Sequence, residues 1–157
     1  MGLNTEQLQA LKTVALADQI AADFIASAQD QELANWFNFN AGTFYAWRSS
    51  LRPDQSRNAV MVGATQLDAL TAGKRDSLFW ILSEVIDCRD ANVRAALDDL
   101  CGTQNTLKNA IIAATKRTCT RAEQALKIAG TGTSAAPATL GYEGFLSAGD
   151  ASGVRVA

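Results

Sequence analysis

Histidine is absent from all 157 residues. That removes the commonest general base and the commonest neutral metal ligand, and it excludes Ser-His-Asp and Cys-His nucleophilic centres. Cysteine is scarce, and Cys88, Cys101 and Cys119 stand too far apart to supply the close pairs that zinc sites use. An odd number at such spacings reads as small buried hydrophobes, the alternatives being a disulfide or a cross-link between subunits. No apolar run approaches the roughly 20 residues that span a bilayer. The stretch from Met1 to Asp18 lacks the basic start and apolar core of a signal peptide. An excess of one charge is missing as well: 14 basic against 16 acidic residues leave a net charge of −2. This balance gives no bulk reason to expect a nucleic-acid or membrane partner.

Motifs that would carry chemistry fail on inspection. Gly73-Lys74 is followed by Arg75 where a phosphate-binding loop needs Ser or Thr, and Asp68 stands where that loop needs glycine. Asp98 and Asp99 are adjacent and so point in different directions on a helix, which leaves a carboxylate pair for acid–base work open but does not favour it. No catalytic residue, cofactor or metal is expected. The chain reads as a non-enzymatic protein that works by binding other subunits.

What is present is helical patterning. Apolar residues make up 48% of the chain, a globular proportion at a length that suits one domain with its own core. Asn4 followed by Gln7 resembles a capping box, and the helix after it is expected to reach about Ala28 with apolar stripes on two sides. Leu8, Leu11, Val14, Ala15, Ala22 and Ile25 form one stripe. Leu16, Ile20 and Phe24 form the other, and Asp18 is a wet interruption of the first. A short helix over 31–37 follows, capped by Asp30. The aromatic run Phe44, Tyr45 and Trp47 is expected as a core-facing turn of helix. Residues 55–63 are ambiguous between strand and helix, and 65–70 form a short helix. Residues 74–86 read as a buried helix with Leu78, Phe79, Ile81, Leu82 and Val85 as its apolar content. Asp90 caps a helix over 91–101 that Gly102 closes, and the last helix runs from about 104 to 128. The fold class is thus all-α, a single body of about six helices.

Composition shifts at Gly130. Residues 130–139 read as a flexible Gly/Thr/Ala-rich linker between a helical body, 1–129, and an extended, partly β arm, 140–157. Leu140, Tyr142, Phe145 and Leu146 lie among glycines in that arm, placed to bury on a neighbour or add a strand to it. Removing 138–157 is therefore expected to spare the body and block assembly. The last helix concentrates Lys108, Lys116, Arg117, Arg121 and Lys127, whereas the first fifty residues are mainly acidic. Solvated faces explain this. So does head-to-tail pairing of acidic and basic edges in a ring, with Lys116, Arg117 and Arg121 at the contact. A nucleic-acid lining lacks the interleaved aromatics that single strands need.

Several stretches resemble a family of small tailed-bacteriophage virion proteins of the head–tail region. They are Phe44-Tyr45-Ala46-Trp47-Arg48-Ser49-Ser50, Leu70-Thr71-Ala72-Gly73-Lys74 with Phe79-Trp80, and Asp90 through Leu97. The C-terminal run Thr120-Arg121-Ala122-Glu123-Gln124-Ala125-Leu126 resembles the family too, with the Gly-Thr-Gly-Thr segment and Tyr142-Glu143-Gly144 after it. The resemblance implies a virion protein of the neck between capsid and tail, assembled in the host cytoplasm. It implies a connector or adaptor ring with portal and tail proteins as partners, passing DNA contact in the channel, and no membrane. A capsid decoration or accessory tail protein is the alternative within the particle, and a small regulatory binding protein the alternative outside it. The family's acidic residue near the end is followed by an aliphatic one. Here Asp150 precedes Ala151, which argues against a helix in the tail.

Overall fold

The computed structural model describes residues 2–157. In chain order the helices are α1 (Thr5–Leu16), α2 (Gln19–Ala26), α3 (Asp30–Asn38), α4 (Pro53–Val62), α5 (Ala72–Leu82), α6 (Ala91–Cys101), α7 (Asn105–Ala114), α8 (Arg121–Ala125) and α9 (Ala148–Val156), with a 3-10 segment at Ala64–Ala69. The strands are β1 (Asn40–Trp47), β2 (Lys116–Thr120), β3 (Lys127–Ala129) and β4 (Thr139–Leu140), paired β1 with β2 and β3 with β4. The protein is mainly helical, as expected, with more helices and more strand than the sequence pattern indicates. The chain divides into two compact units, Met1–Ala46 with Thr118–Ala157, and Trp47–Arg117. This differs from the expected body, linker and arm, because the C-terminal residues belong to the first unit.

In the first unit the Asn4 capping box forms in full. Asn4 Oδ1 accepts from Gln7 N at 2.8 Å, and Gln7 Oε1 accepts from Asn4 N at 3.0 Å. The helix it starts does not reach Ala28. Asp18 ends it by capping a new one, its carboxylate accepting from Ile20 N at 3.0 Å and Ala21 N at 3.2 Å. The supposed second stripe is consequently split between two helices, and Leu16 and Ile20 face outward. A single core gathers Leu11, Ala15, Leu33 and Phe37 with Leu146 and Val154 from the C-terminal segment.

The aromatic run is strand, not helix. Alternation decides it: Phe44 and Ala46 point inward and Tyr45 and Trp47 are half-buried, a period of two. Phe44 and Ala46 pack with Cys119 of β2, Ala138 and Leu140 in a second, smaller cluster. The long C-terminal helix expected over 104–128 is broken for the same reason. Thr118 and Thr120 favour extended backbone, and Thr120 then caps α8, its hydroxyl accepting from Glu123 N at 3.3 Å while Glu123 Oε2 accepts from Thr120 N at 2.9 Å.

The expected linker is an ordered loop. Tyr45 N donates to Gly132 O at 2.7 Å, and Gly132 N donates to Ala136 O at 3.0 Å. Gly132 has φ +79, and a β-carbon there would meet the Phe44 ring at 2.0 Å, so only glycine fits. The expected arm is likewise built into the unit. Leu140 is in β4, Leu146 is in the main core, and α9 packs on α1 and α3. Ser147 and Asp150 form another capping box, the hydroxyl accepting from Asp150 N at 3.1 Å and Asp150 Oδ2 accepting from Ser147 N at 2.9 Å. The Ser147 hydroxyl also donates to Asp150 Oδ2 at 2.7 Å, and this bond, followed by the one from Ser147 N, holds the Asp150 carboxyl below its ordinary pKa. The helix forms despite the Asp150-Ala151 departure because the cap starts it and Ala151 and Val154 are buried.

In the second unit Leu78, Leu82, Leu97, Leu107 and Ile111 form the core. Pro53 at the first turn settles the ambiguous 55–63 stretch as helix. Of the apolar content expected to bury from 74 to 86, only Leu78 and Leu82, one turn apart, are fully inside, and Phe79, Trp80 and Val85 are exposed. A buried Ser56 hydroxyl donates to Leu82 O at 2.9 Å, and Gln66 Oε1 caps α7 by accepting from Leu107 N at 2.9 Å. Gly102, at φ +55, closes α6 as expected. The three cysteines are buried and none is in a disulfide among the described residues, and burial pushes the Cys88 pKa up to about 11.

Two outcomes test this packing. Leu146→Ala should cost about 2–5 kcal/mol, read as a lower urea midpoint with an unchanged slope, whereas an independent arm would leave the midpoint alone. The second concerns acid. Arg155 forks onto Asp30 (Nε to Oδ1 2.8 Å, Nη2 to Oδ2 3.1 Å), tying α9 to the start of α3. This hydrogen bonding holds the Asp30 carboxyl below its ordinary value of 3.8. A depressed folded-state pKa means that the unfolded chain takes up the proton more readily. The contribution is complete above pH 3.8 and is lost as pH falls through the lowered value. Asp30→Asn should therefore show a shallower fall in Tm below about pH 4 than the wild type. Asp87 and Asp150, also depressed, contribute to that fall in the same direction.

Candidate protein-interaction site

The sequence-derived contact residues are not gathered on one face. Leu140 and Leu146 are core residues of the first unit, 4% and 3% exposed, so neither is available to a partner. Tyr142 packs against the same core, and burial raises its pKa. Lys116 and Arg117 are half-buried on β2, and the Arg117 charge helps to lower the pKa of Arg48, after burial as the larger cause. Arg121 begins α8, its guanidinium 4.6 Å from the Trp36 ring centre and 5.3 Å from that of Phe39. It is a stacked cation on an aromatic shelf, and it edges an open groove of about 550 Å³ that Val14, Asp18 and Lys127 also line.

Phe145 remains. It is 74% exposed, between two residues that are anchored. On one side Gly144 N donates to Glu123 Oε1 at 3.0 Å, from a carboxylate that is itself buried. On the other, Leu146 N donates to Asn38 Oδ1 at 2.7 Å and Leu146 O accepts from Asn38 Nδ2 at 2.8 Å. The carbonyl of Phe145 itself accepts from the Tyr142 hydroxyl at 3.0 Å. Gly144 has φ +132, a backbone state that side chains rarely adopt. The loop is thus a fixed platform that holds one phenyl ring out in water. An exposed aromatic normally gains from burial, and a platform whose backbone is already ordered loses little entropy when a partner covers the ring.

The second unit offers the opposite shape. Between α4 and α5 lies a pocket of about 220 Å³ lined by Pro53, Arg57, Val60, Phe79 and Leu82. A second concavity, of about 370 Å³, has Trp80, Ile86 and Val93 around it and Glu84 at its edge. Arg94 stacks on Trp47 at 4.3 Å and donates to the carbonyls of Cys88 and Arg89, which fixes the loop before α6. Phe79, Trp80 and Arg57 were not singled out as contact residues from the sequence. A signal for the first two was present: Leu78 and Leu82 already satisfy one helical face, and Phe79 and Trp80 fall off it.

Gly144→Ala tests the platform. Space is open at this position, the nearest contact being the Tyr142 hydroxyl at 3.7 Å, so any cost comes from the backbone. Stability should fall by about 1–3 kcal/mol, measured by denaturant titration, whereas a loose loop would absorb the change with no loss.

No family model, curated protein or solved structure matches the chain.

Proposed function

We propose that the protein is a structural subunit of a tailed-phage particle, a head–tail connector or adaptor that assembles as a ring at the neck and contacts portal and tail proteins. The observation that carries this reading is the set of large apolar side chains that both units leave outside finished cores. Phe145, Phe39 and Ile20 are exposed on the first unit and Trp80, Met61 and Val62 on the second. Scattered exposed apolar residues are ordinary on a monomer, but aromatic rings on ordered backbone beside apolar pockets are what subunit contacts use. The motif resemblance adds the particle context: Phe44 through Ser50, Asp90 through Leu97 and Thr120 through Leu126 carry it.

The mechanism is assembly through preformed surfaces. Each subunit folds completely, with its C-terminal residues in its own core, and then associates through side chains such as Phe145 that folding leaves in water. No covalent step is involved.

Purified protein imaged by negative-stain electron microscopy should show closed rings. Quantitative mass spectrometry of phage particles should find a small fixed number of copies that co-purify with portal and tail components. Copies in proportion to the capsid shell would make it a decoration protein, and absence from particles would defeat the proposal.

A further inference from the structure

We infer that Phe145 of one subunit seats in the α4–α5 pocket of a second copy of this chain, beside Arg57. This rests on the ring-subunit reading above and names the contact that builds the ring. The first argument is shape. An apolar cavity of about 150 Å³ holds a benzene molecule, so the 220 Å³ pocket accepts a phenyl ring, with Phe79 as an aromatic wall and Val60 and Leu82 as its apolar lining. The second is charge. The first unit holds eight acidic and four basic residues, net −4, and the second holds eight acidic and ten basic, net +2. The surroundings of Phe145 share the first unit's sign: after burial, the larger cause, the charges of Asp150 and Glu123 both raise the pKa of Tyr142 in the same loop. Arg57 is the one charged residue that lines the pocket. The Trp80 concavity carries Glu84 instead, the same sign as the loop, which disfavours it. The third is order: the loop is held by Glu123, Asn38 and Tyr142 before any partner arrives.

In the proposed ring this contact is heterologous: each copy offers one knob and one pocket, so a dimer leaves one of each unused and growth continues until the ring closes. Compared with isologous pairing, this makes a sharp experimental difference.

The test uses the full chain and two surface variants, Phe145→Asp and Arg57→Glu, with circular dichroism to verify that both are folded. Light scattering on wild-type protein should show mass rising beyond the dimer with concentration, and more weakly at high salt. Each variant alone should associate roughly tenfold or more weakly. An equimolar mixture should restore one contact and stop at dimers, because the Arg57→Glu knob meets the Phe145→Asp pocket and nothing further can add. If wild type assembles and both variants assemble equally well, this contact is wrong while the ring-subunit reading stands. A mixture of folded variants that yields no dimer also overturns the contact. Wild-type protein still monomeric at about 1 mM overturns both.

Discussion

The Asn38 side-chain amide makes both hydrogen bonds that a neighbouring strand would make to Leu146, donating to its carbonyl and accepting from its N–H. The two residues are 108 positions apart. A backbone segment entering a core must satisfy its polar groups or pay their desolvation, and one amide at the end of α3 does so here. With Leu146 seated, its side chain joins the core that holds Leu11, Leu33 and Phe37, the cap at Ser147 can start α9, and Val154 completes the core. Phe145, the residue before it, stays in water while Leu146 is buried.

Buried Glu123 is the counterpart on the other side of the loop. One oxygen caps α8 at Thr120 and the other receives the Gly144 amide. A charged carboxylate in the interior is tolerable only when its lone pairs are used. Glu123 is thus both a helix cap and a peg for the loop, and Gly144 supplies the backbone freedom that lets its N–H turn toward it. Caps recur as the organising device of the first unit. Asn4, Asp18, Thr120 and Ser147 each begin a helix by accepting a main-chain N–H, so helices of five to twelve residues form where propensity alone would leave them marginal.

Those caps also explain what could be read in advance. Asn4 with Gln7, Asp90 and Gly102 were visible as punctuation at the ends of strongly periodic segments, and α6 is where it was expected. Thr120-Arg121-Ala122-Glu123 and Ser147-Ala148-Gly149-Asp150 are the same kind of signal, but they stand in segments whose periodicity points elsewhere. The first lies inside a run of helix-compatible residues from Gln104 to Ile128, the second beyond glycines that suggest a frayed end. Phe44 to Trp47 alternates with a period of two over only four residues, too short to outweigh helix-compatible neighbours without its partner Cys119. Non-local contacts decided each case. The contact residues were separated in the same way: Leu140, Tyr142, Phe145 and Leu146 look alike as apolar residues among glycines, and only the Asn38 and Glu123 tethers distinguish the one that faces water.

The difference between an arm and a platform changes the energetics of association. An arm that orders on a neighbour loses about 1–2 kcal/mol of backbone entropy per residue fixed, so it needs a large contact and then leaves slowly. Here that entropy is lost when the first unit folds, where burial of Leu146, Ala151 and Val154 offsets it. In the proposed assembly, what remains is a small, directional contact through one ring and the charges beside it. In a closed ring each subunit makes such a contact on both sides, and removal from the ring must break two at once. Individually weak contacts then suffice for a stable ring and still let a misplaced subunit dissociate before closure.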